Sequence, residues 1–180
     1  MAILPVSIYG DKILREKTKD ITNIDGSIVQ LIQDMFETMR NADGIGLAAN
    51  QVGIDKSLIV IDLSPVEGFE KFKPIVLINP QIISRSEETI KIEEGCLSLP
   101  YLRASVERPK SIKIKYMDTD EKIQELETDG YFARVIQHEF DHLIGKVIAD
   151  RVDPLVKKRI KDELLKIRRR QIDVDYPITE

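Results

Sequence analysis

The stretch Gln137-His-Glu-Phe-Asp-His-Leu-Ile-Gly145 carries the sharpest signal in the chain. Its apolar positions Phe140 and Leu143 continue those of Phe132 and Ile136 at helical spacing, which predicts a buried helix. A start near Thr128 or Asp129 and a stop at Gly145 bound it. On such a helix His138 and His142 are four apart, so they project from one face and can share a metal ion. Glu139 sits about one hundred degrees round, placed to reach a water on the metal instead of the metal itself. A carboxylate there can take a proton from that water and return it.

Working outward, an earlier helix is predicted from Asp25 or Ser27 to Asn41, with Ile28, Leu31, Ile32, Met35, Phe36 and Met39 on its apolar stripe. The glycine-bearing loop Gly44-Ile-Gly-Leu-Ala-Ala-Asn-Gln51 follows. Strands are expected at Ser57–Leu63, at Ile75–Asn79 (ended by Pro80), and more briefly at Thr89–Ile92. Ser111–Met117 alternates apolar residues with lysines. The polar turn Asp118–Glu121 joins it to Lys122–Thr128, a hairpin with one wet face. Asp153-Pro154 opens a last helix, expected to reach about Gln171. Short strands between three separated helices give an α+β class, not a βαβ repeat.

Composition narrows the chemistry. The 180 residues contain one cysteine and two histidines, which excludes an internal disulfide and a structural zinc site built from four Cys/His ligands. The opening Met1-Ala-Ile-Leu-Pro-Val-Ser lacks a basic n-region, so a secretion signal is not expected. No apolar run approaches the roughly 20 residues needed to span a bilayer. With an unpaired cysteine, these features lead us to expect a cytoplasmic protein with no membrane partner. The formal charge of −4 is unevenly spread. Residues 155–171 hold eight cations against Asp162 and Glu163, a net +6, so the other residues carry −10.

Two histidines need a third ligand. Metallopeptidases of the His-Glu-x-x-His type take it from downstream, but no later histidine exists, and the later glutamates are Glu163 and Glu180. The better candidate is Cys96, in Glu93-Glu-Gly-Cys-Leu-Ser-Leu-Pro100. A Cys/His/His set leaves one coordination position open, the mark of a catalytic metal. A metallopeptidase stays as the rival activity, and a binding protein with a structural metal as a second rival.

Three segments taken together, Gly44–Gln51, Glu94–Ser98 and Gln137–Leu143, resemble the peptide deformylase family in content, order and separation. The similarity runs from Tyr9-Gly-Asp to about Asp150. It implies a deformylase-like α+β fold, with antiparallel sheets packed around a central metal-binding helix. Residues 1–152 would form one catalytic metallohydrolase domain, and 153–180 a C-terminal helix and tail packed on it. The implied reaction is hydrolytic removal of the formyl group from the N-formylmethionyl end of nascent polypeptides. The implied metal is Fe(II), one per chain, whereas ligand chemistry alone also admits Zn(II), Ni(II) or Co(II).

Matched residue by residue, the resemblance makes Cys96, His138 and His142 the ligands and Glu139 the general base and acid. It makes Gln51 and the N–H of Leu97 donors to the formyl oxygen, and places Gly46 and Ile45 along the substrate. An apolar pocket for the methionine side chain is expected from Ile45, Ile92, Tyr131 and Val135. Gln137 and Asp141 are expected to orient the site, with Arg103 and Arg108 either helping them or holding substrate backbone. Arg134 falls near the histidine face and would make the pocket more polar. The basic helix, residues 157–170, is a candidate contact with ribosomal RNA. Residues 172–180 carry no assignment.

Overall fold

Asp25 begins the first helix, α1 (Gly26–Asn41), its carboxylate accepting from the N–H groups of Ser27 and Ile28. The computed structural model describes residues 1–180. Seven strands follow one another: β1 (Gly46–Ala48), β2 (Leu58–Ile61), β3 (Ile75–Arg85), β4 (Thr89–Cys96), β5 (Leu99–Pro109), β6 (Ser111–Met117) and β7 (Ile123–Asp129). Two helices complete the chain, α2 (Gly130–Leu143) and α3 (Pro154–Arg168). One antiparallel sheet has the order β1-β2-β3-β6-β7, and β4 and β5 form a separate antiparallel pair. The expected α+β class, with antiparallel sheets about a central helix, is the observed one.

Strand parity decides what each sheet face meets. Leu58 and Val60 pack with Met35 and Met39 of α1, whereas Ile59 and Ile61 pack with Ala133 and Ile136 of α2. The five-stranded sheet is therefore covered on both faces. Each fully buried side chain of this size stabilises the fold by about 1.5–3 kcal/mol. The β4–β5 pair builds a third core, where Leu102, Ala104 and Val106 of β5 meet Ile160, Leu164 and Ile167 of α3. The basic helix docks through that seam, and its lysines are exposed. No helix is long and apolar enough to cross a membrane.

Three boundaries depart from the sequence reading. β3 continues through Pro80 to Arg85, because Asn79 and Pro80 form a bulge between the pairs Ile78–Met117 and Gln81–Lys115. Asn79 takes a left-handed φ of 50° there, and its side-chain amide bonds both backbone groups of Ile21, each at 2.8 Å. β4 runs to Cys96, beyond the expected Ile92. β5 was missed altogether: its charges hid a strict alternation in which Leu102, Ala104, Val106 and Arg108 are buried. The last helix ends at Arg168, short of Gln171.

Candidate active site

Cys96 ends β4 at the point where pairing with β5 breaks. Gly95 faces Arg103, but Cys96 faces Leu99, so Pro100-Tyr101-Leu102 is left unpaired with β4 as a bulge. The turn brings Cys96 over the histidine face of α2. One ligand atom each from Cys96, His138 and His142 lies within 4.8 Å of the others. Cys96 Sγ is 3.4 Å from His142 Nε2, and the two imidazole rings are 5.1 Å apart, centre to centre. Neither Glu163 nor Glu180 joins the cluster.

Glu94 sits behind this trio. Its carboxylate accepts from His138 Nδ1 at 2.8 Å, from Arg108 through two contacts, and from Arg134 at 2.8 Å. An ionised carboxylate only accepts, so the bond fixes a proton on Nδ1 and leaves Nε2 as the His138 nitrogen that could meet a metal ion. Burial works against the charge on Glu94, but His138 and Arg108 prevail and hold it well below the usual carboxylate range. Burial likewise disfavours charge on both imidazoles. At His142 it prevails, with His138 adding to it, and keeps the ring neutral. At His138 the Cys96 and Glu94 side chains outweigh burial and favour positive charge.

These features meet the requirements of a divalent transition-metal ion. A soft thiol ligand and two imidazoles converge, and acidic neighbours favour positive charge at that point. Two buried polar atoms of the trio's surroundings, His142 Nδ1 and Glu139 Oε2, have no hydrogen-bond partner in the protein. Glu139 Oε1 is 3.9 Å from His138 Nε2, and burial pushes the Glu139 carboxyl up to about 7. Gly46 lies on the α2 face of β1, and a Cβ there would come within 2.6 Å of Glu139 Oε1.

Gln51 lies in the short helical turn Ala49–Val52. The N–H of Ala48 donates to its Oε1 at 2.9 Å, so its Nε2 is turned toward Ser98 Oγ at 3.1 Å and Cys96 Sγ at 3.6 Å. A cavity of about 570 Å³ opens over these groups. Gln51, Cys96, Leu97, His138 and Glu139 line it, as do Ile45, Gly46, Tyr131 and Val135. Ile92 does not. Four residues before Cys96, it lies about 13 Å up the strand, paired with Val106. It shares the strand face of Glu94, two residues further along β4.

Arg134 lines the cavity but also turns inward, donating to Glu94, Val106 O and Ile90 O. Arg108 is buried between Glu94 and Asp141, so it cannot hold substrate backbone; Arg103 lines the cavity, paired with Glu93. Asp141 also binds Arg151, and Gln137 donates to Pro109 O. Sequence reasoning missed the hub role of Glu94, which its place beside Gly95-Cys96 could have suggested. It also missed Tyr101 and Tyr176, both of which line the cavity.

Comparison with known proteins agrees with this geometry. Residues 3–158 match the family model described as polypeptide deformylase. The peptide deformylase of Chlorobium phaeobacteroides (strain BS1) is 46% identical over 176 residues, 98% of this chain and 95% of that protein. That of Prosthecochloris aestuarii is 42% identical over 180 residues, covering 99% and 95%. Among solved structures, a Legionella pneumophila peptide deformylase superposes with a TM-score of 0.84 at 36% identity, over 94% of this chain and 98% of that one. A Synechococcus elongatus peptide deformylase in complex with actinonin gives 0.81 at 42% identity, over 89% and 85%. On fold, site and sequence together, the chain belongs to the polypeptide deformylase family.

Proposed function

We infer that the chain catalyses its family's reaction, hydrolysis of the N-formyl group at the start of newly made polypeptides. The observation that carries this reading is the convergence of Cys96, His138 and His142 beside Glu139 at the base of an open cleft. We propose Cys96, His138 and His142 as the ligands of one Fe(II), with Zn(II), Ni(II) or Co(II) able to substitute. The ion supplies Lewis acidity, which lowers the pKa of water and polarises a carbonyl.

The chain's own groups do the rest. Glu139 takes a proton from the attacking water and delivers it to the amine nitrogen as the carbon–nitrogen bond breaks, releasing formate and a free amino terminus. Its raised pKa suits a group that must both accept and donate near neutrality. Gln51 Nε2 and the N–H of Leu97 donate to the oxyanion, and loss of one such donor typically costs about 10²–10³ in turnover. Ile45, Tyr131 and Val135 supply apolar surface for the methionine side chain, and Gly46 leaves room for Glu139. Two tyrosines at the rim add amphipathic surface for the peptide beyond it.

An anaerobic assay on a formyl-Met peptide, with a metal count, tests the reading. Wild type should turn over, and Glu139→Ala should keep its metal and lose turnover. Full activity in Glu139→Ala would remove the general-base role. Cleavage of unformylated peptides with formylated ones ignored would point to a metallopeptidase instead. Iron-loaded enzyme should lose activity in air faster than nickel- or zinc-loaded enzyme, and equal lifetimes would argue against iron. We also propose that the exposed cations of residues 157–170 contact ribosomal RNA in the cytoplasm. Co-sedimentation with ribosomes unchanged after Lys/Arg→Ala on this helix would overturn that contact.

A further inference from the structure

The tail after α3 doubles back over the body and reaches the cleft. Arg170, with a left-handed φ of 54°, reverses the chain and pairs with Asp11. The N–H of Val6 donates to Pro177 O at 2.9 Å, and the N–H of Thr179 donates to Val6 O at 3.0 Å. Thr179 Oγ1 donates to Asp11 at 2.6 Å. Tyr176, held from both sides by these anchors, lines the cavity and donates from its hydroxyl to Leu97 O at 2.8 Å.

The receiving segment is the one that matters to the chemistry. Leu97 follows Cys96, and its C=O lies one Cα from its N–H in the next peptide plane, so holding the carbonyl leaves only the φ and ψ of Leu97 between the anchor and the donor N–H. The N-terminal segment that anchors the tail also braces both donor loops. Ser7 N–H donates to Gln51 O at 2.7 Å, and Tyr9 N–H donates to Ser98 O at 2.8 Å. Ser98 O and Ser98 Oγ are therefore held by the body, whereas the Leu97 carbonyl is held by the tail alone among side-chain donors.

We propose that Tyr176 is a positioning residue: its hydroxyl, delivered by the folded-back tail, fixes the Leu97 backbone in the orientation that aims its N–H at the formyl oxygen. The inference rests on the function proposed above. It gives the segment 172–180, which lies beyond the residues matched by the family model, a role in the active site. The tail is thus part of the cleft wall, and its docking and the alignment of the donor are one event.

The test uses full-length, metal-loaded protein and the single variant Tyr176→Phe, which keeps the ring and removes the hydroxyl. kcat and KM on a formyl-Met peptide are measured with metal content and with amide hydrogen exchange at Leu97 and Ser98. The expected result is kcat lower by about tenfold, KM within about twofold, unchanged metal, and faster exchange at those two amides. An unchanged kcat overturns the proposal, whatever the exchange does. A lower kcat without faster exchange also overturns it, since the hydroxyl would then act by another route. A wild type inactive on the formyl peptide removes the underlying function, which an active wild type with an unaffected variant does not.

Discussion

Gly46 and Glu139 show how narrow the tolerances at the site are. The space that a methyl group would need at residue 46 is occupied by the Glu139 carboxylate. Gly46→Ala should therefore push Glu139 aside while leaving Cys96, His138 and His142 in place. Turnover should fall by about 10²-fold with metal content unchanged, as measured by steady-state kinetics beside metal analysis. Wild-type rates in that variant would mean that Glu139 moves freely and is not aimed by the backbone. Gln51 is subject to the same logic: the Ala48 N–H bound to its oxygen leaves the NH₂ group facing Cys96. Glu94 holds the His138 ring through Nδ1, and two arginines compensate its buried charge.

At the scale of elements, irregularities in the strands build the site. The bulge at Asn79-Pro80 lets β3 pass a proline and tie itself to the segment before α1 through Ile21. Asn79→Ala removes two hydrogen bonds and places a side chain less suited to the left-handed region at φ 50°. A loss of about 1–3 kcal/mol is expected in urea unfolding, and stability equal to wild type would show that neither contribution counts. The break between β4 and β5 has the larger functional consequence, since it turns Cys96 toward α2. Arg108, on the inward parity of β5, joins Glu94 to Asp141 and so links the hairpin to the metal helix. Arg108→Met should cost about 1–3 kcal/mol, because Glu94 and Asp141 lose a shared buried partner while Glu94 keeps His138 and Arg134 and Asp141 keeps Arg151. Thermal or chemical unfolding would read this directly.

Across the whole molecule, the site and the stability of the fold are linked. The three proposed ligands lie on β4 and on two turns of α2, so a bound ion would tie the hairpin to the central helix. Removing it with a chelator should lower Tm, by an amount that grows with metal affinity and free-metal concentration. A Tm unmoved by metal removal would mean the two elements are already locked without it. The tail has its own pH dependence. Burial tends to raise the Asp11 pKa, but hydrogen bonds from Thr179 and Arg170 outweigh it and lower it below 3.8. A lowered folded pKa means stability that is present above the unfolded value and lost as pH falls through the folded one. The stability advantage of wild type over Asp11→Asn should hold at neutral pH and shrink as pH falls below 3.8. An advantage unchanged in acid would show that the carboxylate charge does not anchor the tail.

The sequence by itself determined the helix that carries His138 and His142, the N-terminal cap of α1, the β6–β7 hairpin and the grouping of Cys96 with the two histidines. Those features are local: helical spacing, capping side chains and a polar turn act over a few residues, and a chain with one cysteine and two histidines offers few alternatives. Only the tertiary structure decided the rest. β5 was obscured because its inward-facing Arg108 is satisfied by carboxylates far along the chain, Glu94 and Asp141. Tyr176 entered the cleft because the tail pairs with Val6 and Asp11 at the opposite end of the chain. Burial of a charge and closure of a long loop depend on partners that no local window contains. The residues that converge at the site were therefore largely legible in the sequence, and the distant partners that hold them in place were not.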